Sequence, residues 1–186
     1  MIKYIITGGP HSGKSSVLDL IKEKGFTVLH ETARLMIRED QEKKQSDPAY
    51  NFLYPWEDQR IFCHRCHERQ LEREKELTGE MAILDRSIID NLAYAAVAGI
   101  ELDKKIYRDI SEAGYEKKVF YFEQLKDYVT DDQRKDSEKQ VKAVHKEIYN
   151  IYIQLGFELI TIPVFSDDKK INIMKRAEII LGHIKP

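Results

Sequence analysis

Short runs of consecutive apolar residues alternate along this chain with longer stretches in which apolar residues recur every three or four positions. Runs of the first kind read as strands buried on both faces, and stretches of the second as amphipathic helices. Strands are expected at 2–7, Phe26 to Glu31, Met81 to Asp85, Lys117 to Phe122 and Phe157 to Ile162, the last ended by Pro163. Helices are expected over about 14–24, closed by Gly25, about Pro55 to Leu77, stopping near Gly79, and about Ile88 to Ala98. Further helices are expected over roughly 103–113, up to about Leu155 with Gly156 as the cap, and over about 168–183. The polar stretch Arg38 to Asn51, containing Ser46-Asp47-Pro48, is expected to be a loop. Five apolar strands separated by helices predict an α/β fold with a five-stranded parallel sheet covered by helices on both faces. Neither an internal repeat nor a low-complexity linker divides the chain, so 1–186 is expected to form a single domain.

Composition narrows the function classes. At 186 residues the chain is long enough for a substantial core. A net charge of −2 supplies no basic field of the kind that advertises nucleic acid. Its longest mildly apolar stretch, Leu92 to Ile100, falls well short of the ~20 residues of a membrane span. The first apolar run carries one Lys and leads directly into a glycine-rich turn, so it is expected to be a core strand and not a signal peptide. Two cysteines without an export signal point to a reducing, cytoplasmic setting and to no disulfide.

That glycine-rich turn carries the strongest chemical signal. Gly8-Gly9-Pro10-His11-Ser12-Gly13-Lys14-Ser15 spells G-x-x-x-x-G-K-S between an expected strand and an expected helix, the setting a phosphate-binding P-loop (Walker A) requires. Glycines permit backbone conformations and close approaches that a Cβ would block. Successive N–H groups then cradle phosphate oxygens, aided by the helix N-terminus. Lys14 has the length to reach β- and γ-phosphates, and the Ser15 hydroxyl is placed for Mg²⁺; Ser16 completes the nucleotide-binding set Gly8 to Ser16.

Ligands of parallel sheets bind at the carboxyl ends of the strands. The second strand ends at Glu31, followed by Thr32-Ala33-Arg34. A carboxylate there can orient or deprotonate an attacking hydroxyl or hold a metal-bound water, or it can serve only as a helix N-terminal acid. Arg34 is a candidate substrate contact. The third strand closes on Asp85-Arg86-Ser87, where the Asp supports Mg²⁺ held by Ser15 and Arg86 can stabilise the transferred phosphoryl group or hold substrate. Asp90, one turn along the next helix, can bind substrate or favour the helix start. The charged stretch at about 124–139 is expected to act as a lid that closes over the nucleotide, with Arg134 as the first choice for a phosphate contact and Lys135 the second. Cys63-His64-Arg65-Cys66-His67 matches the C-x-x-C-H string of haem attachment, but it lies inside an expected helix and lacks partner cysteines for a zinc site. Both cysteines are read as ordinary helix residues. Tyr54, Trp56, Gln59 and Arg60 are placed to line a specificity pocket, with the aromatic residues weighted toward the core.

The P-loop, Glu31-Thr32-Ala33-Arg34, Asp85-Arg86-Ser87 to Asp90 with Leu92-Ala93-Tyr94, and Leu155-Gly156-Phe157-Glu158-Leu159 together resemble a family of small P-loop proteins known as AAA-domain predicted ATPases, over nearly the whole chain. That family looks like nucleoside and nucleotide kinases, with the nicotinamide riboside kinase domains among its relatives, and the Asp85-Arg86-Ser87 string is also similar to the acidic-Arg-Ser motif of deoxynucleoside kinases. The resemblance implies a nucleotide-kinase-like P-loop NTPase fold with a lid. It implies Glu31 as the base or substrate-orienting acid, Asp85 beside Mg²⁺, and Arg86 and Arg134 on phosphates. The family's lid usually reads Arg-x-Glu, whereas this chain has Arg134-Lys135-Asp136, with a shorter acid.

The expected activity is therefore transfer of the γ-phosphate of Mg-ATP to a small hydroxyl-bearing acceptor, with a nucleoside-like molecule as one candidate. A GTPase switch is disfavoured because neither N-K-x-D nor a D-x-x-G after the P-loop occurs. A motor or regulatory ATPase usually sets Glu beside the strand-end Asp, where this chain has Arg86. An NTPase acting on ATP, GTP or a small organic triphosphate is the alternative that the same pocket supports.

Overall fold

In the computed structural model, which describes residues 1–125 and 137–184, the expected α/β pattern is realised. Strands β1 (Ile2–Thr7), β2 (Val28–Leu29), β3 (Met81–Asp85), β4 (Tyr115–Phe122) and β5 (Glu158–Ile162) form one sheet in the order β2-β3-β1-β4-β5. Every pairing in it is parallel. The helices are α1 (Lys14–Glu23), α2 (Thr32–Ser46), α3 (Gln59–Lys75), α4 (Ile88–Val97), α5 (Lys105–Glu112), α6 (Glu138–Gln154) and α7 (Lys169–His183).

Strand side chains alternate between two cores, as a period of two requires. Ile5, Ala82, Leu84, Val119 and Tyr121 point to the side where α4, α5 and α6 bury Ile89, Ile106 and Ile148. Tyr4, Ile6, Ile83, Phe120 and Phe122 point to the opposite side, against Val17 and Leu18 of α1 and Ala177 and Ile180 of α7. Both faces being covered explains why the strands read as near-continuous apolar runs. A third cluster joins Met36 and Ile37 of α2 to Phe52, Tyr54, Phe62 and Cys66.

Two sequence expectations need correction. Arg38 to Asn51 is not a loop, because α2 runs on through Ser46. Its buried positions are Thr32, Met36, Ile37 and Asp40. The last is a carboxylate that accepts a hydrogen bond from Tyr50 Oη at 2.6 Å and lies 3.8 Å from Arg65 Nη2. A polar residue in the buried stripe hid the helical period. The helix stops where Asp47, extended before Pro48, accepts a hydrogen bond from Ala49 N. Strand β2 is two residues long, not six. It lies at the sheet edge, and the carbonyl of His30 is taken by Arg73 Nη1 at 2.8 Å, which ends the ladder.

The strand order places the ligand crevice. From β1 the chain passes over β3 to β2, returns to β3, then crosses β1 to reach β4. The β1–β3 register pairs Ile6 with Asp85, so the start of the glycine-rich loop and the strand-end Asp are neighbours.

Candidate functional site

Backbone geometry of the P-loop explains its glycines. Gly8 has φ 133°, and a Cβ there would stand 2.6 Å from the carbonyl oxygen of Phe122. On Gly9 a Cβ would come within 2.8 Å of His145 Cβ. Gly13, at φ 77°, is the N-cap of α1, and among the described residues no side chain caps that helix end. The exposed N–H groups of a ten-residue helix and its dipole therefore face the loop. His11 also takes a left-handed conformation, at φ 59°, although it carries a side chain. Pro10 is buried against the neighbouring cavity.

Lys14 is folded into the loop. Its Nζ donates to the carbonyls of Gly8 (3.1 Å) and Gly9 (3.0 Å) and to Ser12 Oγ (3.0 Å). Ser12 Oγ in turn donates to the Gly9 carbonyl at 3.0 Å. Ser15 and Ser16 lie at the loop's open side, in a cavity shared with Lys14, Arg34 and α7.

Next to the loop stands a buried carboxylate. Asp85 Oδ2 accepts a hydrogen bond from Ser15 Oγ at 3.1 Å, while Oδ1 is buried without a hydrogen-bond partner. Burial, and then the nearby Glu31, push the Asp85 carboxyl above its ordinary range, although Lys14 and Arg86 pull the other way. A half-satisfied buried carboxylate beside a second acid and a P-loop serine is a donor set suited to a hard cation. The residues present thus fit a Mg²⁺ held with a triphosphate.

Glu31, the N-cap of α2, and Arg86 face each other across the crevice. Arg86 Nε lies 3.2 Å from Glu31 Oε1, and Arg34 Nε lies 3.9 Å from Glu31 Oε2. Arg86 sits at φ 72° directly after β3, and its amide donates to the Ile6 carbonyl. Its Nη1 donates to Asp90 Oδ1 at 3.0 Å, and its guanidinium lies over Tyr94. Asp90 is heavily committed. It accepts from Arg86, from Thr7 Oγ1, from Tyr152 Oη at 2.8 Å and from the Ser87 amide at 3.0 Å, the last as part of a capping box for α4.

These groups form one wall of a cavity of about 200 Å³ beside the P-loop. Trp56, Gln59, Cys63, Gln70, Asn91 and Tyr94 also line it. Trp56 stacks on Tyr54 at 4.8 Å, so Tyr54 belongs to the core and Trp56 to the rim, while Arg60 is exposed outside the lining. Arg34 borders both this cavity and the one at the P-loop. Arg134 and Lys135 lie outside the described residues.

Cys63 and Cys66 are buried, unpaired residues of α3. Burial pushes the Cys66 thiol up to about 12. His67 pairs with Asp109 Oδ2 at 2.8 Å. Among the described residues no group of three or more His, Cys, Asp or Glu is placed to hold a metal.

Two residues that motif reading missed touch the P-loop from distant helices. Arg176 of α7 donates to the carbonyls of Ser12 (2.6 Å), Pro163 (2.8 Å) and Glu123 (3.2 Å). Its guanidinium lies over Phe122, and burial lowers its pKa to about 10. His145 of α6 accepts the Gly9 N–H through Nδ1 at 3.0 Å. Each had a signal. Asn172, Arg176 and Ile180 recur every four residues on the buried side of α7. His145 sits in the stripe Val141, Val144, Ile148, Ile151 and Tyr152 of α6. A polar residue inside an apolar stripe marks a buried partner.

The sheet order, the P-loop at the end of β1 and the Asp at the end of β3 define a P-loop fold of the nucleotide-kinase type. Solved structures agree on the fold. A deoxyadenosine kinase from M. mycoides is 16% identical, with TM-score 0.59, over 97% of this chain and 96% of that one. A thymidylate kinase from Ehrlichia chaffeensis is 15% identical, with TM-score 0.62, over 100% and 98%. A shikimate kinase from Aquifex aeolicus is 14% identical, with TM-score 0.50, over 98% and 95%. Residues 3–168 match the AAA domain family, and the chain belongs to it. No curated protein gives a significant match. Among the described residues no helix is long and apolar enough to cross a membrane.

Proposed function

We propose that this protein is a phosphotransferase that moves the γ-phosphate of Mg-ATP to the hydroxyl of a small, uncharged, nucleoside-like acceptor. The observation that carries this reading is the position of Glu31 on the wall of a cavity beside the P-loop, ion-paired to Arg86.

Each residue then has a task. The P-loop from Gly8 to Ser16 and the α1 N-terminus hold the triphosphate. Lys14, kept in the loop by the Gly8 and Gly9 carbonyls, meets the β- and γ-phosphate oxygens. Ser15 and Asp85 would hold Mg²⁺, which would offset the negative charge of the triphosphate. Glu31 accepts the proton of the acceptor hydroxyl as its oxygen bonds to the γ-phosphorus and ADP leaves. Arg86, fixed by Asp90 and by the strand-end backbone, holds Glu31 in place. Arg34, which borders both cavities, is suited to the phosphate in transit. Arg134 is assigned to the lid from sequence alone.

Charge bookkeeping in the cavity favours an uncharged acceptor. Its described cations are Arg34 and Arg86, and both already face Glu31, with Arg86 also bound to Asp90. An acceptor carrying its own phosphate or carboxylate asks for a further cation, since a buried unpaired anion is costly. A flat, neutral ring is served by what is present: the Trp56 face at the rim, with the amides of Gln59, Gln70 and Asn91.

The test is acceptor-dependent ADP release from Mg-ATP, measured with nucleosides, nucleoside monophosphates and small hydroxy acids in parallel. Nucleosides are expected to raise the rate well above the acceptor-free background. ADP release that no acceptor stimulates makes the protein an NTPase and overturns the reading.

A further inference from the structure

The peptide that joins Gly8 to Gly9 is held at both ends. Its carbonyl, that of Gly8, accepts Lys14 Nζ at 3.1 Å. Its N–H, that of Gly9, donates at 3.0 Å to Nδ1 of His145, a residue 136 positions away in sequence. The histidine itself is anchored. Its ring stacks on Tyr121 at 4.7 Å with an interplanar angle of 27°, and Tyr121 Oη donates to the His145 carbonyl at 2.8 Å. The two backbones approach so closely that a Cβ on Gly9 would meet His145 Cβ at 2.8 Å.

An Nδ1 that accepts a hydrogen bond leaves the ring proton on Nε2. The imidazolium form would lose this acceptor. It is disfavoured here, because burial and the positive charges of Lys14 and Arg86 push the His145 pKa down to about 4. The acceptor is therefore present throughout the neutral range.

We propose that His145 is a positioning residue for nucleotide binding: by accepting the Gly9 N–H it fixes the orientation of the Gly8–Gly9 peptide, whose Gly8 carbonyl holds Lys14 Nζ in the loop. Nothing in the G-x-x-x-x-G-K-S string contains this contact, which comes from a helix on the far side of the 126–136 segment. The consequence is that P-loop geometry depends on the docking of α6. Gln140, on the same helix, lines the acceptor cavity, so one helix touches both sites.

The inference rests on the P-loop being a nucleotide site, and the test separates the two. ATP and ADP affinities are measured by calorimetry for the wild type, Lys14→Ala, His145→Phe and His145→Asn, with Tm recorded for each. Wild-type binding that Lys14→Ala weakens supports the nucleotide site irrespective of His145. Phe keeps a flat ring on Tyr121 but removes the acceptor, and roughly tenfold weaker binding of both nucleotides is expected, the scale of one hydrogen bond. Asn places an Oδ1 acceptor near the position of Nδ1, and affinity within about threefold of wild type is expected. A Phe variant that binds as wild type, or a folded Asn variant as weak as Phe, overturns the proposal. Nitrogen-15 NMR of the histidines in the wild-type protein at pH 7 gives an answer even if the Phe variant does not fold. The Nε2–H tautomer is expected for His145; the Nδ1–H tautomer or the imidazolium overturns the proposal.

Discussion

Arg86 Nε stands 3.2 Å from Glu31 Oε1 while Arg86 Nη1 donates to Asp90 Oδ1 at 3.0 Å, so one guanidinium ties the acid at the start of α2 to the first turn of α4. The pair is largely buried, with side-chain exposures of 7% for Arg86 and 11% for Glu31. A buried ion pair is weak evidence of net stabilisation, but losing one member leaves uncompensated charge. Its value here lies in position. Glu31 belongs to a helix and Arg86 to a strand end, and their contact fixes the width of the cavity between them.

Arg86→Met therefore leaves Glu31 and Asp90 without their shared cation. A loss of about 3 kcal/mol in unfolding free energy is expected from denaturant titration, with phosphotransfer abolished. Arg86→Lys keeps a charge but cannot bridge both carboxylates, so it is expected to recover part of the stability and little of the turnover. A Lys variant with wild-type turnover shows that bidentate bridging is not needed.

Arg176→Ala tests the support of the P-loop from α7. It deprives the carbonyls of Ser12, Pro163 and Glu123 of a common donor. About 3 kcal/mol of destabilisation is expected, together with weaker ATP binding, because the Ser12 carbonyl is part of the phosphate loop. Arg176→Lys can satisfy only some of the three and is expected to fall between. Thermal unfolding and calorimetry on the same samples check both effects, and a destabilised variant with unchanged ATP affinity separates α7 from loop geometry.

How much of this was legible in the chain varies with how local the determinant is. The P-loop and the β3 strand-end Asp are contiguous strings, and β3 spans Met81–Asp85 as its apolar run indicates. Helix α2 was hidden because Asp40, a buried carboxylate serving Tyr50 and Arg65, breaks its apolar stripe. Edge strand β2 was overestimated because sequence does not show that Arg73 captures the His30 carbonyl. Asp90 was open between a substrate contact and a helix start, and its four donors come from β1, β3–α4 and α6, which no local pattern reports. Arg176 and His145 depend on contacts across more than 130 positions, visible beforehand only as polar residues in apolar stripes.

The cysteines give a prediction independent of nucleotide. Cys66 is buried, with its thiol pushed up to about 12 by burial first and then by Cys63 and Glu31. At pH 8 its thiolate fraction is on the order of 10⁻⁴, and thiolate is the reactive form. Alkylation of Cys66 in the native protein is expected to be at least about a hundredfold slower than in the denatured chain, read by mass spectrometry. Because Cys63 and Cys66 line the cavity proposed for the acceptor, any native labelling that an acceptor suppresses locates the acceptor there. Rapid native labelling of Cys66 contradicts its placement.

Glu31 and Asp85 are two carboxylates near one another with different proposed tasks, and paired amide substitutions separate them. Glu31→Gln retains shape and the Arg86 contact but loses the charge proposed to take the acceptor proton. Mg-ATP affinity is expected to stay within about threefold of wild type while transfer falls on the order of 10²-fold or more, the scale of a general base. Asp85→Asn removes the charge from the carboxylate that receives the Ser15 hydroxyl. Here the dependence of ATP affinity on Mg²⁺ concentration is expected to weaken, with metal-free ATP affinity preserved. Removing a buried carboxyl with a raised pKa also relieves a desolvation cost, so Asp85→Asn is expected to leave Tm unchanged or higher. The decisive comparison is calorimetry of ATP with and without Mg²⁺ on both variants. If Glu31→Gln, and not Asp85→Asn, is the one that loses the Mg²⁺ dependence, the roles are exchanged. Glu31 then belongs to the metal site, and the acceptor hydroxyl must give its proton to another group.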